Sequence, residues 1–120
     1  MRRVCEAQLR AIERIGYDYY QSDRFDRART VFEGLHALAA RRVYPLRGLA
    51  ETCLALGDGP AALRAANGVV ALAADDGGAY CLRGRVLLAA NRAGDAKNDL
   101  IRAARLGDDL AEALLLTLPR

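Results

Sequence analysis

The 120-residue chain has no tryptophan, two phenylalanines, three prolines and a single histidine. β-Branched and aromatic residues are sparse, which argues against a sheet protein. Glycine and proline are too few for a collagen or a low-complexity tail. Cysteine is limited to Cys5, Cys53 and Cys81. The number is odd and no pair has Cys-x-x-Cys spacing, so neither a disulfide framework nor a zinc site is expected. The three are expected as free thiols in a reducing compartment. Apolar runs are a few residues long, far short of the ~20 needed to cross a bilayer. Glu6, Arg10, Glu13 and Arg14 interrupt any leader-like apolar core near the start. These absences lead to the expectation of a soluble, cytoplasmic protein with no membrane partner. The net charge is +3, and the longest basic runs are the pairs Arg2-Arg3 and Arg41-Arg42. A nucleic-acid binder usually carries a concentrated basic stripe, so no nucleic-acid partner is expected.

Catalytic machinery is equally thin. His36 is the one histidine and has Glu33 a turn before it, which reads as a solvated or capped surface pair rather than a base. Gly57-Asp58-Gly59-Pro60 lacks the Lys-Ser/Thr of a phosphate-cradling loop. The only serine, Ser22, falls in a turn. Asp75-Asp76 and Asp108-Asp109 are paired carboxylates, but each pair stands just before a helix, where a carboxylate caps or favours the positive dipole end. No catalytic residue, metal ligand or cofactor is assigned, and the chain is not expected to be an enzyme.

What is abundant is alanine, leucine and arginine, all strong helix formers, within a 52% apolar composition. The chain also repeats itself at an offset of 34. Gly16, Ala50 and Gly84 coincide, as do Ala28, Ala62 and Ala96. Phe32, Ala66 and Leu100 follow, then Leu35, Val69 and Ala103, then Leu38, Leu72 and Leu106. Three units result, at about 9–42, 43–76 and 77–110. Residues 1–8 are expected to lengthen the first helix, and a capping helix is expected at about 109–118, with the whole of 1–120 as a single domain.

Each unit reads as two helices. Ile12, Ile15, Gly16 and Tyr19 form the first apolar stripe of unit one, and Phe25, Ala28, Phe32 and Leu35 the second. Gln21-Ser22-Asp23-Arg24, Gly57-Asp58-Gly59-Pro60 and Asn91-Arg92-Ala93-Gly94 are the breaks, with Gly57 as a C-terminal stop and Pro60 as a first helical residue. Small residues, such as Gly16 facing Ala28, let paired helices approach closely. No hairpin buries its own apolar face, so the pairs must stack into a solenoid. The expected fold class is all-α, a right-handed α-solenoid of three helix pairs plus the capping helix.

These signatures resemble the tetratricopeptide repeat family. Its large-x-x-large-small-x-x-aromatic pattern is matched by Ile12, Ile15, Gly16 and Tyr19, and its Ala-x-x-x-aromatic pattern by Ala28 and Phe32. Ala40, Ala74 and Asp108 stand where a proline often closes a repeat. Arg83 stands where a large apolar residue is expected, which implies local distortion or an arginine whose stem lies along the core.

The resemblance implies that the first helix of each unit lines a concave groove. The residues facing away from the packing stripe are then Arg10, Glu13, Tyr17 and Tyr20 in unit one, Tyr44, Arg47, Glu51 and Leu54 in unit two, and Gly78, Cys81, Arg85 and Leu88 in unit three. Of these, Arg10, Glu13, Tyr17, Tyr20, Tyr44, Arg47, Leu54, Arg85 and Leu88 are the candidate peptide-binding residues. Tyrosine offers contact area at low entropy cost, and arginine binds backbone carbonyls or carboxylates. The alternative is that Tyr17 and Tyr20 are ordinary partly buried residues tied up by neighbouring helices.

The runs from Gly16 to Leu38 and from Leu46 to Asp58 resemble more closely the class II tetratricopeptide chaperones of type III secretion systems, the group that includes SycD, LcrH and IpgC. The resemblance implies a cytosolic chaperone holding a protein or peptide client in the groove: a secretion substrate, a translocator or a needle component. A homodimer is among the states it admits. The competing expectation is a tetratricopeptide scaffold or adaptor joining protein partners.

Overall fold

Seven α-helices make up the computed structural model, which describes residues 3–119. The Arg2-Arg3 pair lies partly outside the described residues. α1 (Glu6–Gln21) pairs with α2 (Phe25–Leu38), α3 (Val43–Ala55) with α4 (Gly59–Leu72), and α5 (Gly77–Ala89) with α6 (Ala93–Arg105), while α7 (Asp109–Thr117) packs on α6. The pairs stack into an elongated all-α solenoid with a long dimension of 52 Å.

One local device ends the first helix of every pair. Asp23, Gly57 and Asn91 occupy the same place in the repeat and all have positive φ, at 62°, 77° and 59°. Glycine tolerates that conformation at no steric penalty, and Asp and Asn are the other residues that visit it readily. The next N–H then turns back onto a carbonyl five residues earlier: Arg24 onto Tyr19, Asp58 onto Cys53 and Arg92 onto Leu87, at 2.8 to 2.9 Å. This closes orphan carbonyls of the finished helix and aims the chain into its partner. Asp58, Asp76 and Asp108 cap the helices that follow them, accepting from the N–H groups of Ala61, Gly78 and Ala111.

Within the pairs, small residues sit opposite large ones. A Cβ added to Gly16 would fall 2.8 Å from the Phe32 ring, and one on Gly84 would fall 2.9 Å from the Leu100 side chain. Gly16 therefore faces Phe32 rather than the expected Ala28, which is itself fully buried. Phe32, Leu35 and Leu9 anchor the first cluster; Leu46, Val69 and Val86, with a run of alanines, form the second; Tyr80, Leu100 and Ala103 form the third. α7 covers that third cluster with Ala111, Leu114 and Leu115, joined by Leu118 at its C-cap.

Several expectations need correction. Ile15 is 48% exposed and does not join the packing stripe. Its counterpart Leu49 packs between the first and second clusters. That position touches the preceding helix pair, and among the described residues no pair lies before α1 and α2. Leu38, Leu72 and Leu106, aligned as packing residues, are exposed at the ends of the second helices. Pro60 is the second helical residue, not the first, because Asp58 is the N-cap. Ala93 and Gly94 already belong to α6, so the third break is shorter than expected. His36 is half-buried, and its Nδ1 is enclosed without a hydrogen-bond partner, so it is not a solvated surface group.

Arg83 causes no break in α5. Its guanidinium donates two bonds to the Asp99 carboxylate, at 2.7 and 2.9 Å, and a third to Asn67 at 3.3 Å. An ion pair thus fills a position held by Leu49 one repeat earlier, and it also ties the third pair to the second. Asp99 is buried, so this bidentate geometry is what makes its charge tolerable there.

Candidate functional site

The first helices of the three pairs line one groove of about 380 Å³. α1 contributes Tyr17, Tyr20 and Gln21. α3 contributes Tyr44, Arg47, Gly48 and Glu51. α5 contributes Gly78, Cys81, Leu82 and Arg85. The ring of Phe32 forms part of the floor, and Asp108 and Leu110 close the end at α7.

The floor exists because Gly48 has no side chain. A Cβ there would fall 2.5 Å from Phe32 Cζ. The ring therefore presses against the α3 backbone, and it meets Tyr44 at 6.2 Å between centroids. Tyr20 packs its ring edgewise on Phe25 at 5.5 Å and touches the first core cluster. Burial, and after it the nearby Glu51 carboxylate, pushes the Tyr20 phenol above its ordinary range. Burial does the same at Tyr44. Both phenols therefore stay neutral donors at physiological pH. Tyr17 is exposed, as Tyr44 is, and the Arg14 guanidinium lies 5.8 Å from its ring centroid.

The groove arginines are already engaged. Arg85 donates to both oxygens of Glu51, at 2.5 and 3.1 Å. That bond and burial of the charge act in opposite directions on the guanidinium, and the bond prevails, so its pKa is raised. Arg47 pairs with Asp76, which at the same time caps α5. Gly78 leaves the room this needs, since a Cβ there would meet the Arg47 guanidinium at 3.3 Å.

Of the nine candidate residues, Tyr17, Tyr20, Tyr44, Arg47 and Arg85 line this groove. Arg10 and Glu13 border an adjoining, more open hollow with Arg14, Tyr17 and Tyr44. Glu13 does not face outward as expected. It is 7% exposed, and Arg42 holds it with bonds of 2.5 and 2.9 Å while reaching Glu6 at 2.7 Å. Leu54 and Leu88 do not line the groove either. They pack against the second and third core clusters, although Tyr20, one or two repeats earlier in the same column, does line it. Phe32, Gly48, Leu82, Gln21, Asp108 and Leu110 were not foreseen as groove residues. The signal for Gly48 was present: a glycine inside a helix is destabilising relative to alanine by roughly 1 kcal/mol unless close packing requires it. Among the described residues, no group of three or more His, Cys, Asp or Glu is placed to hold a metal ion, and no helix is long and apolar enough to cross a membrane.

No protein-family model matches the chain, and no curated protein matches its sequence. Solved structures do match its fold. The Yersinia enterocolitica type III secretion chaperone SycD, in complex with a peptide of the translocator YopD, superposes with a TM-score of 0.87 at 17% identity, covering 96% of this chain and 95% of that one. PcrH in complex with the chaperone-binding region of PopB gives 0.85 at 20% identity, with 97% and 95% covered. The first TPR of Spaghetti bound to an HSP90 peptide gives 0.86 at 21% identity, with 95% and 92% covered. The tetratricopeptide-type solenoid is therefore the fold of this chain.

Proposed function

We propose that the protein is a non-catalytic, cytoplasmic chaperone of a type III secretion system, holding a secretion substrate or export component in its concave groove. The observation that carries this reading is the lining of the groove. Its exposed surface is mostly apolar, it is walled by Tyr17, Tyr20 and Tyr44, and its two arginines are neutralised by Glu51 and Asp76. Such a surface offers contact area and orienting hydroxyls to an apolar segment. It offers less to a terminal carboxylate, which would first have to displace an existing ion pair. The likeness to SycD and PcrH in complexes with translocator segments supports the same reading.

A second reading is a tetratricopeptide adaptor joining folded partners, favoured by the equally close fold match to the HSP90-peptide-binding domain. Co-purification from the native host with mass spectrometry, followed by calorimetry with each recovered partner, separates the two. A stoichiometric complex with an apolar secretion substrate, weakened in Tyr17→Ala, supports the chaperone. A complex only with a soluble partner bearing an acidic C-terminus, insensitive to Tyr17→Ala, overturns it.

A further inference from the structure

The first two of the three junctions between successive first-helix elements are built to one plan, and at the third the N-cap comes two residues earlier in the repeat. At the first, Glu13 meets Arg42, the N-cap of α3. At the second, Arg47 occupies the equivalent place and meets Asp76, the N-cap of α5. Each pair is separated by 29 residues. At the third, the equivalent residue is Cys81 and the N-cap of the next helix is Asp108. A thiol therefore stands where an arginine or a carboxylate stood before. Burial, together with the Asp108 carboxylate that accepts its hydrogen bond, pushes the Cys81 thiol up to about 11. It is neutral at physiological pH, a weak donor that brings no charge.

Asp108 is consequently a carboxylate in the groove wall without a cation. One oxygen accepts from the Ala111 N–H at 2.8 Å. Among the described residues, no arginine, lysine or histidine lies within ion-pair distance of it. Arg47 and Arg85, the groove's two cations, are held by Asp76 and Glu51. With Arg47 taken up by Asp76 and Arg85 by Glu51, Asp108 is the one charged residue of the lining left without an ion-pair partner, at the α7 end.

We infer that the segment this groove takes carries a lysine or arginine that pairs with Asp108, beside an apolar stretch seated among the three tyrosines. The client's cation stands to Asp108 as Arg47 stands to Asp76. The inference rests on the reading of the groove as a peptide site and adds direction to it, since a single charge at one end fixes which way the segment lies.

A random peptide library displayed on phage tests this against the folded full chain. Wild type is expected to enrich peptides with apolar residues and a Lys or Arg at a constant offset. Asp108→Asn keeps the helix cap, because asparagine caps as well as aspartate. It is expected to retain the apolar enrichment and lose the basic one. The best synthetic peptide should bind that variant about three- to tenfold more weakly, with a flatter salt dependence. Asp109→Asn removes the neighbouring exposed carboxylate and should change neither result. Unchanged basic enrichment on Asp108→Asn, or an equal loss on Asp109→Asn, overturns the inference alone. A wild-type chain that enriches no peptide overturns the groove reading and this inference together.

Discussion

The ring of Phe32 occupies the space that a side chain on Gly48 would need, and the same ring also fills the space beside Gly16. One aromatic residue of α2 thus sets how closely both α1 and α3 approach it. Gly48→Ala should gain helix propensity, about 1 kcal/mol at most, yet lose more by overpacking the Phe32 ring, which a Cβ would meet at 2.5 to 2.7 Å. A net destabilisation of about 1–2 kcal/mol is expected from urea titration. Gly34→Ala should do the opposite. Nothing lies within 4 Å of a Cβ at Gly34, so up to about 1 kcal/mol of stabilisation is expected.

Tyr17 and Tyr20 should separate binding from folding. Tyr17 is largely free of the core, so Tyr17→Ala should leave the thermal midpoint nearly unchanged while weakening client binding by about 1–2 kcal/mol. Tyr20 packs on Phe25 and the first cluster. Tyr20→Ala should lower the midpoint as well as the affinity. Paired melts and calorimetry on the two variants measure this. Equal stability losses would mean that Tyr17 is a core residue.

Asp58 should make part of the stability acid-sensitive. Its carboxylate accepts from the Ala61 N–H and pairs with Arg29 at 3.0 Å, tying α2 to the start of α4. The cap bond first, then the Arg29 bond, holds its pKa below the ordinary carboxylate value. A depressed folded-state value means a contribution present above the unfolded pKa and lost as pH falls through the folded one. The difference in urea midpoint between wild type and Asp58→Ala should therefore be constant near neutrality and shrink below about pH 4.

Cysteine labelling should order the thiols by environment. Cys5 is exposed, whereas Cys53 and Cys81 are buried and burial raises both pKa values. Native-state labelling at pH 7 should modify Cys5 rapidly and the other two far more slowly. Asp108→Asn removes the carboxylate that disfavours the Cys81 thiolate, so labelling there should accelerate at fixed pH. Mass spectrometry of digests identifies the modified residue. An unaltered Cys81 rate would leave burial as the whole cause.

Deleting residues 109–120 should lower solubility and the thermal midpoint. α7 and its C-cap supply Ala111, Leu114, Leu115 and Leu118 to the cluster around Tyr80 and Leu100, and their loss would uncover it. Static light scattering and a melt of the truncated chain check this. A monomeric product as heat-stable as the parent would mean that α7 is dispensable as a cap.

The fold was legible because packing demands recur every 34 residues, and recurrence survives even where identity does not: Phe32, Ala66 and Leu100 share a place without sharing a size. Exposure was less legible, because it depends on what a repeat has beside it. Ile15, Leu49 and Arg83 occupy one position, and their fates differ only through the neighbouring pair. Glu13 was misplaced for a related reason. It was expected to face outward, but Arg42, brought back by the chain 29 residues later, holds its carboxylate in a buried ion pair. The recurrence of that spacing in Arg47 and Asp76 is the pattern that would have exposed the pairing.

The reversal of charge between these two junctions also bears on errors of assembly. A repeat protein risks pairing like elements out of order, either within one chain or between two. Here α1 offered to the start of α5 would bring Glu13 beside Asp76, and α3 offered to its own start in a second copy would bring Arg47 beside Arg42. Each mistaken partnership sets like charges together in half-sheltered surroundings, whereas the correct ones bring opposite charges into contact. The reversed order of charge at these two junctions therefore favours the correct neighbour over either mistaken one.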